Sequence, residues 1–327
     1  MKSLVVLNEC MFDAEQRKRL YNEFEKVDFY EDTNDENTAI QRIQDRNIII
    51  MDQFLWTFSE KLFKECKNLE LIVLNTTAYD NIPLELLKKY NVKLANLKTY
   101  ATQDVAEVAV SMMMALNCNL NLATKIASNR DLTYENYHQN EIVSDIWPGH
   151  PVIPYLKRHQ LNKLKAGIVG LGNIGQAIAD LCQRIGMNTI AFNRNKKDIE
   201  GVEMVSLEKL FEQADVIFIS LKYQPKKMEK VISKNLLNSA KEGSIFVSIA
   251  PLELIDIEHL ISIQSKFKGI GLDCFATENL VKQMKGNFII TPHLGHQSYE
   301  AYTKMTESII DTIIDYSKNN PINLVSL

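Results

Sequence analysis

Apolar residues in the first part of the chain come in short unbroken runs that alternate with stretches of helical period. The runs at 4–7, 47–51, 71–74 and 91–96 have the length of strands, and 13–26, 38–45 and 83–89 read as helices between them. Unbroken apolar runs mark strands buried on both faces, so the alternation predicts a parallel sheet with crossover helices. A helical pattern then runs from 103 to 129, with Val105, Val108, Met112, Leu116 and Leu120 on one stripe and Thr102 placed to cap its start. Its Met112-Met113-Met114 run fits a core or a subunit interface. Residues 131–160, rich in aromatics, Pro and His, lose all period and read as a long excursion able to wrap a partner subunit.

Alternation resumes at residue 164. Strands are predicted at 167–170, 189–193, 216–221, 244–249, 269–273 and 288–291, a six-strand nucleotide-binding pattern, and 300–317 reads as a closing amphipathic helix. At 327 residues the chain has room for two domains. Its 46% hydrophobic and 24% charged residues are those of a soluble globular protein, and a net charge of −4 argues against a nucleic-acid surface. No segment approaches the roughly 20 apolar residues that span a bilayer, and the N-terminal apolar run is too short for a signal peptide. Five scattered cysteines without C-x-x-C spacing predict free thiols in a reducing cytoplasm and no metal site.

The candidate chemistry begins at Gly170-Leu171-Gly172-Asn173-Ile174-Gly175, between a predicted strand and a predicted helix. Glycines at this spacing let the backbone turn tightly and approach a pyrophosphate, while the helix N-terminus faces the negative charge. About 20 residues on, a carboxylate would accept hydrogen bonds from the adenine ribose. Here Asn193 stands in that place, followed by Arg194 and Asn195, with Lys196 and Lys197 behind. An arginine can pair bidentately with a 2′-phosphate. The reading favours NADP(H), with NAD(H) possible; the competing reading of the same residues is a solvated basic turn.

Several separate segments resemble the D-isomer-specific 2-hydroxyacid dehydrogenases, over nearly the whole chain. Residues 167–176 (GIVGLGNIGQ) resemble the nucleotide signature, and 104–107 (DVAE) resemble the VAE element. Residues 207–216 (LEKLFEQADV) resemble the stretch before a strand, 271–278 (GLDCFATE) the LDVF…E segment, and 290–295 (ITPHLG) the TPHIGG segment. Residues 96–102 (NLKTYAT) partly match the NVPGYST of the glycerate and hydroxypyruvate reductase branch. The resemblance implies an α/β fold of two Rossmann-like domains with parallel sheets. A cofactor domain, 99–294, would be inserted into a flavodoxin-like substrate domain, 1–98 and 295–327. Catalysis would take place in the cleft, in a homodimer built on residues 102–160. Leu221, Ile249 and Asp273 join the glycine loop as cofactor-binding residues, Asp273 as the contact to the nicotinamide amide.

Glu278 and His293 match the family's carboxylate–histidine pair. A histidine suits a proton donor near neutral pH, and a carboxylate on its other nitrogen fixes the tautomer. A lone histidine at a strand end is more often structural; the TPH match reverses that here. His296 has no motif support. The family's third residue, an arginine that polarises the carbonyl and clamps the carboxylate, falls at Pro251, which offers no cation and no N–H. The carboxylate-binding turn reads Asn75-Thr76-Thr77-Ala78-Tyr79-Asp80, with Ala78 where glycine is expected, so Thr77, Ala78 and Tyr79 line a more restricted substrate turn. Lys222 or Lys98 can supply the missing charge; by itself each also reads as a surface lysine. Three readings follow: an NADPH-dependent reductase of a carbonyl-type small molecule with an altered clamp, a dinucleotide-binding regulatory protein without catalysis, and a conventional 2-hydroxyacid dehydrogenase with another cation.

Overall fold

The computed structural model describes residues 2–7, 12–52, 55–128, 156–195, 197–223 and 228–326. The chain divides into two compact units, residues 1–100 with 298–327 and residues 101–297. The predicted excursion at 131–160 lies outside the described residues except for its last five.

In the first unit β1 (Ser3–Leu7), β2 (Lys26–Tyr30), β3 (Ile48–Met51), β4 (Leu71–Leu74) and β5 (Lys93–Ala95) form one parallel sheet in the order β2-β1-β3-β4-β5. This is the flavodoxin-like order. Leu4, Val6, Ile48, Ile50, Leu71 and Val73 face a core shared with Leu20, Phe24 and the closing helix Tyr299–Ser317. The intervening Val5, Leu7, Ile49, Met51, Ile72 and Leu74 face the other way. There they meet α2 (Glu36–Ile43), α3 (Glu60–Glu65) and α4 (Leu84–Tyr90). Both faces are apolar because both are covered. The helix expected at 13–26 is shorter, α1 (Ala14–Glu23), capped by Asp13 in a capping box with Gln16. Its predicted last residue, Lys26, instead opens β2, an edge strand whose polar alternation hid it.

In the second unit the expected 103–129 helix is two helices, α5 (Thr102–Asn117) and α6 (Leu120–Ser128). Asn119 interrupts them at φ 52°, a left-handed conformation that asparagine tolerates. Thr102 is not the cap but the first helical residue, after Ala101, and no side-chain cap bond forms. Met112 and Met113 are buried in the core, which settles that run as packing for those two. The sheet has seven parallel strands rather than six: β6 (Lys165–Val169), β7 (Asn188–Phe192), β8 (Val202–Met204), β9 (Val216–Ile219), β10 (Ile245–Ser248), β11 (Gly269–Asp273) and β12 (Phe288–Thr291). The seventh, β8, is a three-residue edge too short to leave a pattern. The order is β12-β11-β10-β9-β6-β7-β8. Helices α5 and α7 (Asn173–Arg184) cover one face; α8 (Leu207–Gln213), α9 (Lys234–Ser239), α10 (Ile257–Ser262) and α11 (Glu278–Gln283) cover the other. Gly269 and Gly271 let α5 lie close, since a Cβ at either would stand 2.9 or 3.2 Å from Leu116.

No helix among the described residues is long and apolar enough to cross a membrane. Cys66, Cys182 and Cys274 are buried free thiols, and burial pushes them up to about 12, 12 and 11 respectively.

Candidate active site

Chain order reverses between β6 and β9: β7 and β8 lie on one side of β6 and β9 on the other. In an open α/β sheet a ligand binds at the carboxyl edge of such a switch point. The glycine loop leaves β6 there. Gly170 has φ +98°, and a Cβ on it would meet the Ser220 carbonyl oxygen and Leu221 Cδ2 at 3.0 Å. A Cβ on Gly175 would sit 1.9 Å from the Gly170 carbonyl oxygen, so the helix packs on the loop only with glycine there. Around Gly172 a Cβ would meet nothing within 4 Å. No side chain caps α7, so the leading amides of the helix at Asn173, Ile174 and Gly175 have no capping acceptor among the described residues. A glycine with room beside it and uncapped amides behind it is the cradle a pyrophosphate fits.

Side chains outside the three glycines hold the loop, and of these Ser220 carries no signal in the sequence. Ser220 Oγ donates to the Gly170 carbonyl at 2.7 Å. Gln176 Nε2 and Lys197 Nζ donate to the Leu171 carbonyl at 2.9 and 2.6 Å. The expected ribose partner, Asn193, belongs to the same set: its Oδ1 accepts from the Leu171 N–H at 3.0 Å, and its Nδ2 donates to the Asn195 carbonyl at 2.6 Å. Arg194 and Asn195 are exposed, and Arg194 has no side-chain partner among the described residues. Ile249, at the same sheet edge after β10, is half-buried.

Asp273 ends β11 and is 4% exposed. Its carboxylate accepts from Thr291 Oγ1 and Leu294 N–H at 2.8 Å and from Gly295 N–H at 3.0 Å. These bonds fasten the turn after β12 that carries His293. The turn is strained: His293 has φ 54°, a left-handed conformation uncommon outside glycine and costing of order 1 kcal/mol or more. The Asp273 clamp and the His293 N–H bond to the Thr291 carbonyl, 2.9 Å, hold it there. Asp273, expected as a nicotinamide contact, thus has its acceptors engaged by the turn.

Glu278 and His293 are not hydrogen-bonded to each other. Glu278 is the first residue of α11, after the Thr277 cap, and its carboxylate pairs with Lys282 one turn along at 2.5 Å. His293 stacks on Phe275, ring centroids 5.1 Å apart, and lies 5.6 Å from the His296 ring. Pro251, exposed at φ −55°, leads into a 3-10 turn at Leu252–Leu254 just past β10.

In the first unit, the Asn75–Tyr79 turn follows β4. Asn96 Nδ2 donates to the Thr77 carbonyl at 2.6 Å, and Leu97 N–H to the Thr76 carbonyl at 3.1 Å, so the segment ending in Lys98 lies along the turn. Thr76 Oγ1 donates to the Ala78 carbonyl at 2.9 Å. Ala78 is not among the positive-φ residues, so the turn holds alanine without backbone strain. The N–H groups of Thr76, Thr77 and Ala78 have no acceptor among the described residues, and Asn75 Oδ1 is buried without a partner. Lys98 is exposed and has no partner among the described residues. Among the described residues no cluster of three or more His, Cys, Asp or Glu is placed to hold a metal.

Residues 110–295 match the family model described as D-isomer specific 2-hydroxyacid dehydrogenase, NAD binding domain. A hydroxypyruvate reductase of Blautia hydrogenotrophica is 24% identical over 334 residues, covering 99% of this chain and 94% of the relative. One of Thermotoga maritima is 28% identical over 257 residues, 76% of this chain and 77% of the relative. Among solved structures, an acyclic imino acid reductase in complex with NADPH and D-Arg superposes with a TM-score of 0.84 at 23% identity, covering 100% of both chains. Aquifex aeolicus D-lactate dehydrogenase, complexed with NAD and lactic acid, superposes with a TM-score of 0.80 at 19% identity, covering 97% of this chain and 96% of that one. At these identities the structures speak for the fold.

Proposed function

The chain belongs to the D-isomer-specific 2-hydroxyacid dehydrogenase family, oxidoreductases of the CH–OH/C=O couple, and from that premise we propose that it is a cytoplasmic, homodimeric, NADPH-dependent reductase of a small carbonyl compound. The observation that carries this reading is the sharing of one sheet edge by the open glycine cradle and the clamped His293 turn. NADPH, when bound, supplies the hydride. The amides at the start of α7 hold its pyrophosphate, and Arg194 pairs with its 2′-phosphate. The residue at position 193 is an asparagine, with no carboxylate to repel that phosphate, and its side chain is spent on the loop.

His293 gives the proton to the carbonyl oxygen as charge develops there, and Glu278 turns from Lys282 to support the imidazole. The N–H groups of Thr76, Thr77 and Ala78 anchor the polar end of the substrate, with Tyr79 lining the same turn. Pro251 stands where the family carries arginine and contributes no charge, so Lys98 supplies it. Hydroxypyruvate and glyoxylate, the substrates named for curated relatives, are the first compounds to assay.

The cofactor half is tested by initial rates with NADPH and NADH on the wild type and Arg194→Ala. The expected result is a wild-type kcat/KM at least about tenfold higher with NADPH, as loss of a charge-assisted pair implies, and most of that ratio lost in the variant. Equal or better turnover with NADH contradicts it.

A further inference from the structure

β5 is an edge strand, and an uncovered edge presents unpaired N–H and C=O groups. A stretch with no period in the sequence covers this one. Past the closing helix the chain turns at Asn319, φ 61°, and again at Asn323, φ 58°, left-handed conformations that asparagine tolerates. Asn323 Nδ2 donates to Thr312 Oγ1 on that helix at 2.9 Å. Leu324 then pairs antiparallel with Ala95. The Val325 N–H donates to the Leu94 carbonyl at 2.8 Å, and the Asn96 N–H to the Asn323 carbonyl at 3.3 Å. Leu324 packs on the core that the closing helix shares and Val325 on the opposite one, the alternation of a strand.

This added strand ends its pairing on the residue that reaches the substrate turn. Asn96, 8% exposed, donates through Nδ2 to the Thr77 carbonyl at 2.6 Å, and the next N–H, that of Leu97, donates to the Thr76 carbonyl at 3.1 Å. Two consecutive carbonyls of the turn are thus drawn toward one segment. In a planar trans peptide the carbonyl and the following N–H point in opposite directions. The amides of Thr77 and Ala78 are therefore turned away from that segment together, with no acceptor among the described residues. Successive amides turned outward in this way favour an anion.

We infer that residues 323–325 are a strap belonging to the substrate site: by pairing with β5 they hold Asn96 and Leu97 where these two direct the Thr77 and Ala78 amides at the substrate's carboxylate. This rests on the reading of that turn as the substrate anchor. Asn96 is the positioning residue through which the strap acts, touching the turn and not the substrate. Lys98, next in the chain, is carried by the same bonds.

The test uses the full chain with two substitutions. Val325→Pro deletes the N–H that bonds Leu94, and Ser326→Pro puts the same ring at an exposed position outside the pairing. With NADPH saturating and hydroxypyruvate varied, Val325→Pro should raise KM about fivefold or more while kcat and NADPH affinity hold, and Ser326→Pro should match the wild type. A general loss of structure would instead lower kcat per total protein and leave KM alone. Amide hydrogen exchange gives a readout free of turnover: in the cofactor-free wild type, Val325, Asn96 and Leu97 should open together as one unit. An unchanged KM in Val325→Pro, or a Leu97 amide that stays protected while that of Val325 exchanges freely, overturns the strap. The exchange result decides the matter even where Val325→Pro does not fold. The anchor is checked separately by adding hydroxypyruvate to the wild type with oxidised NADP, which should shift the amide NMR signals of Thr77 and Ala78. If they do not move, the anchor reading falls first, and the strap's part in the site with it.

Discussion

Lys98 is a single cation whose value depends on what lies beside it. Exposed and unpaired among the described residues, it would count for little in stability. Beside it, however, run three consecutive backbone amides without acceptors among the described residues, on a turn held in place by Asn96 and Leu97. Amides of that kind favour an anion, and an ammonium next to them adds a charge-assisted bond. Lys98→Met should therefore raise KM for a keto acid by about tenfold or more, from the roughly 1.5–3 kcal/mol of such a bond, with kcat less affected. Steady-state kinetics on hydroxypyruvate checks this; an unchanged KM would return Lys98 to the solvated surface and leave the charge at Pro251 unreplaced.

At the scale of elements, the glycine loop separates two roles that one motif runs together. Gly175→Ala places a Cβ against a backbone carbonyl at 1.9 Å, so α7 must shift, at a cost of about 1–3 kcal/mol of stability. Gly172→Ala meets nothing of the protein and has an ordinary φ of −66°, so it should leave thermal stability alone and weaken NADPH binding by filling the ligand's space. Thermal unfolding and NADPH titration of the two variants should therefore diverge; a Gly172→Ala that binds NADPH as the wild type does would remove the cradle from the account. The central strands were legible because their apolar runs are unbroken, a consequence of helices on both faces. The edge strands β2 and β8 and the short helix α3 were not, because an exposed edge or a single turn and a half leaves little periodic signal. The break at Asn119 was hidden because the apolar stripe resumes at Leu120. Within the site, the glycines and His293 announce themselves by spacing and by motif. The commitments of Asn193 to Leu171, Lys197 to Leu171 and Asp273 to the His293 turn span 22, 26 and about 21 residues and exist only once the strands are side by side.

At the scale of the molecule, two parallel-sheet units share the labour by type of group. One carries an amide turn and an uncommitted lysine; the other carries the dinucleotide cradle and the strained histidine. On the proposed reading His293 delivers the proton, while the glycine cradle and Arg194, and not His293, hold NADPH. The most direct measurement is NADPH consumption with hydroxypyruvate and glyoxylate by the wild type and His293→Ala, paired with NADPH affinity for each. The account predicts turnover by the wild type, a loss of about 100-fold or more in the variant, and equal NADPH affinity in the two. A variant that turns over as fast as the wild type, or a wild type that binds NADPH and reduces neither compound, would contradict it.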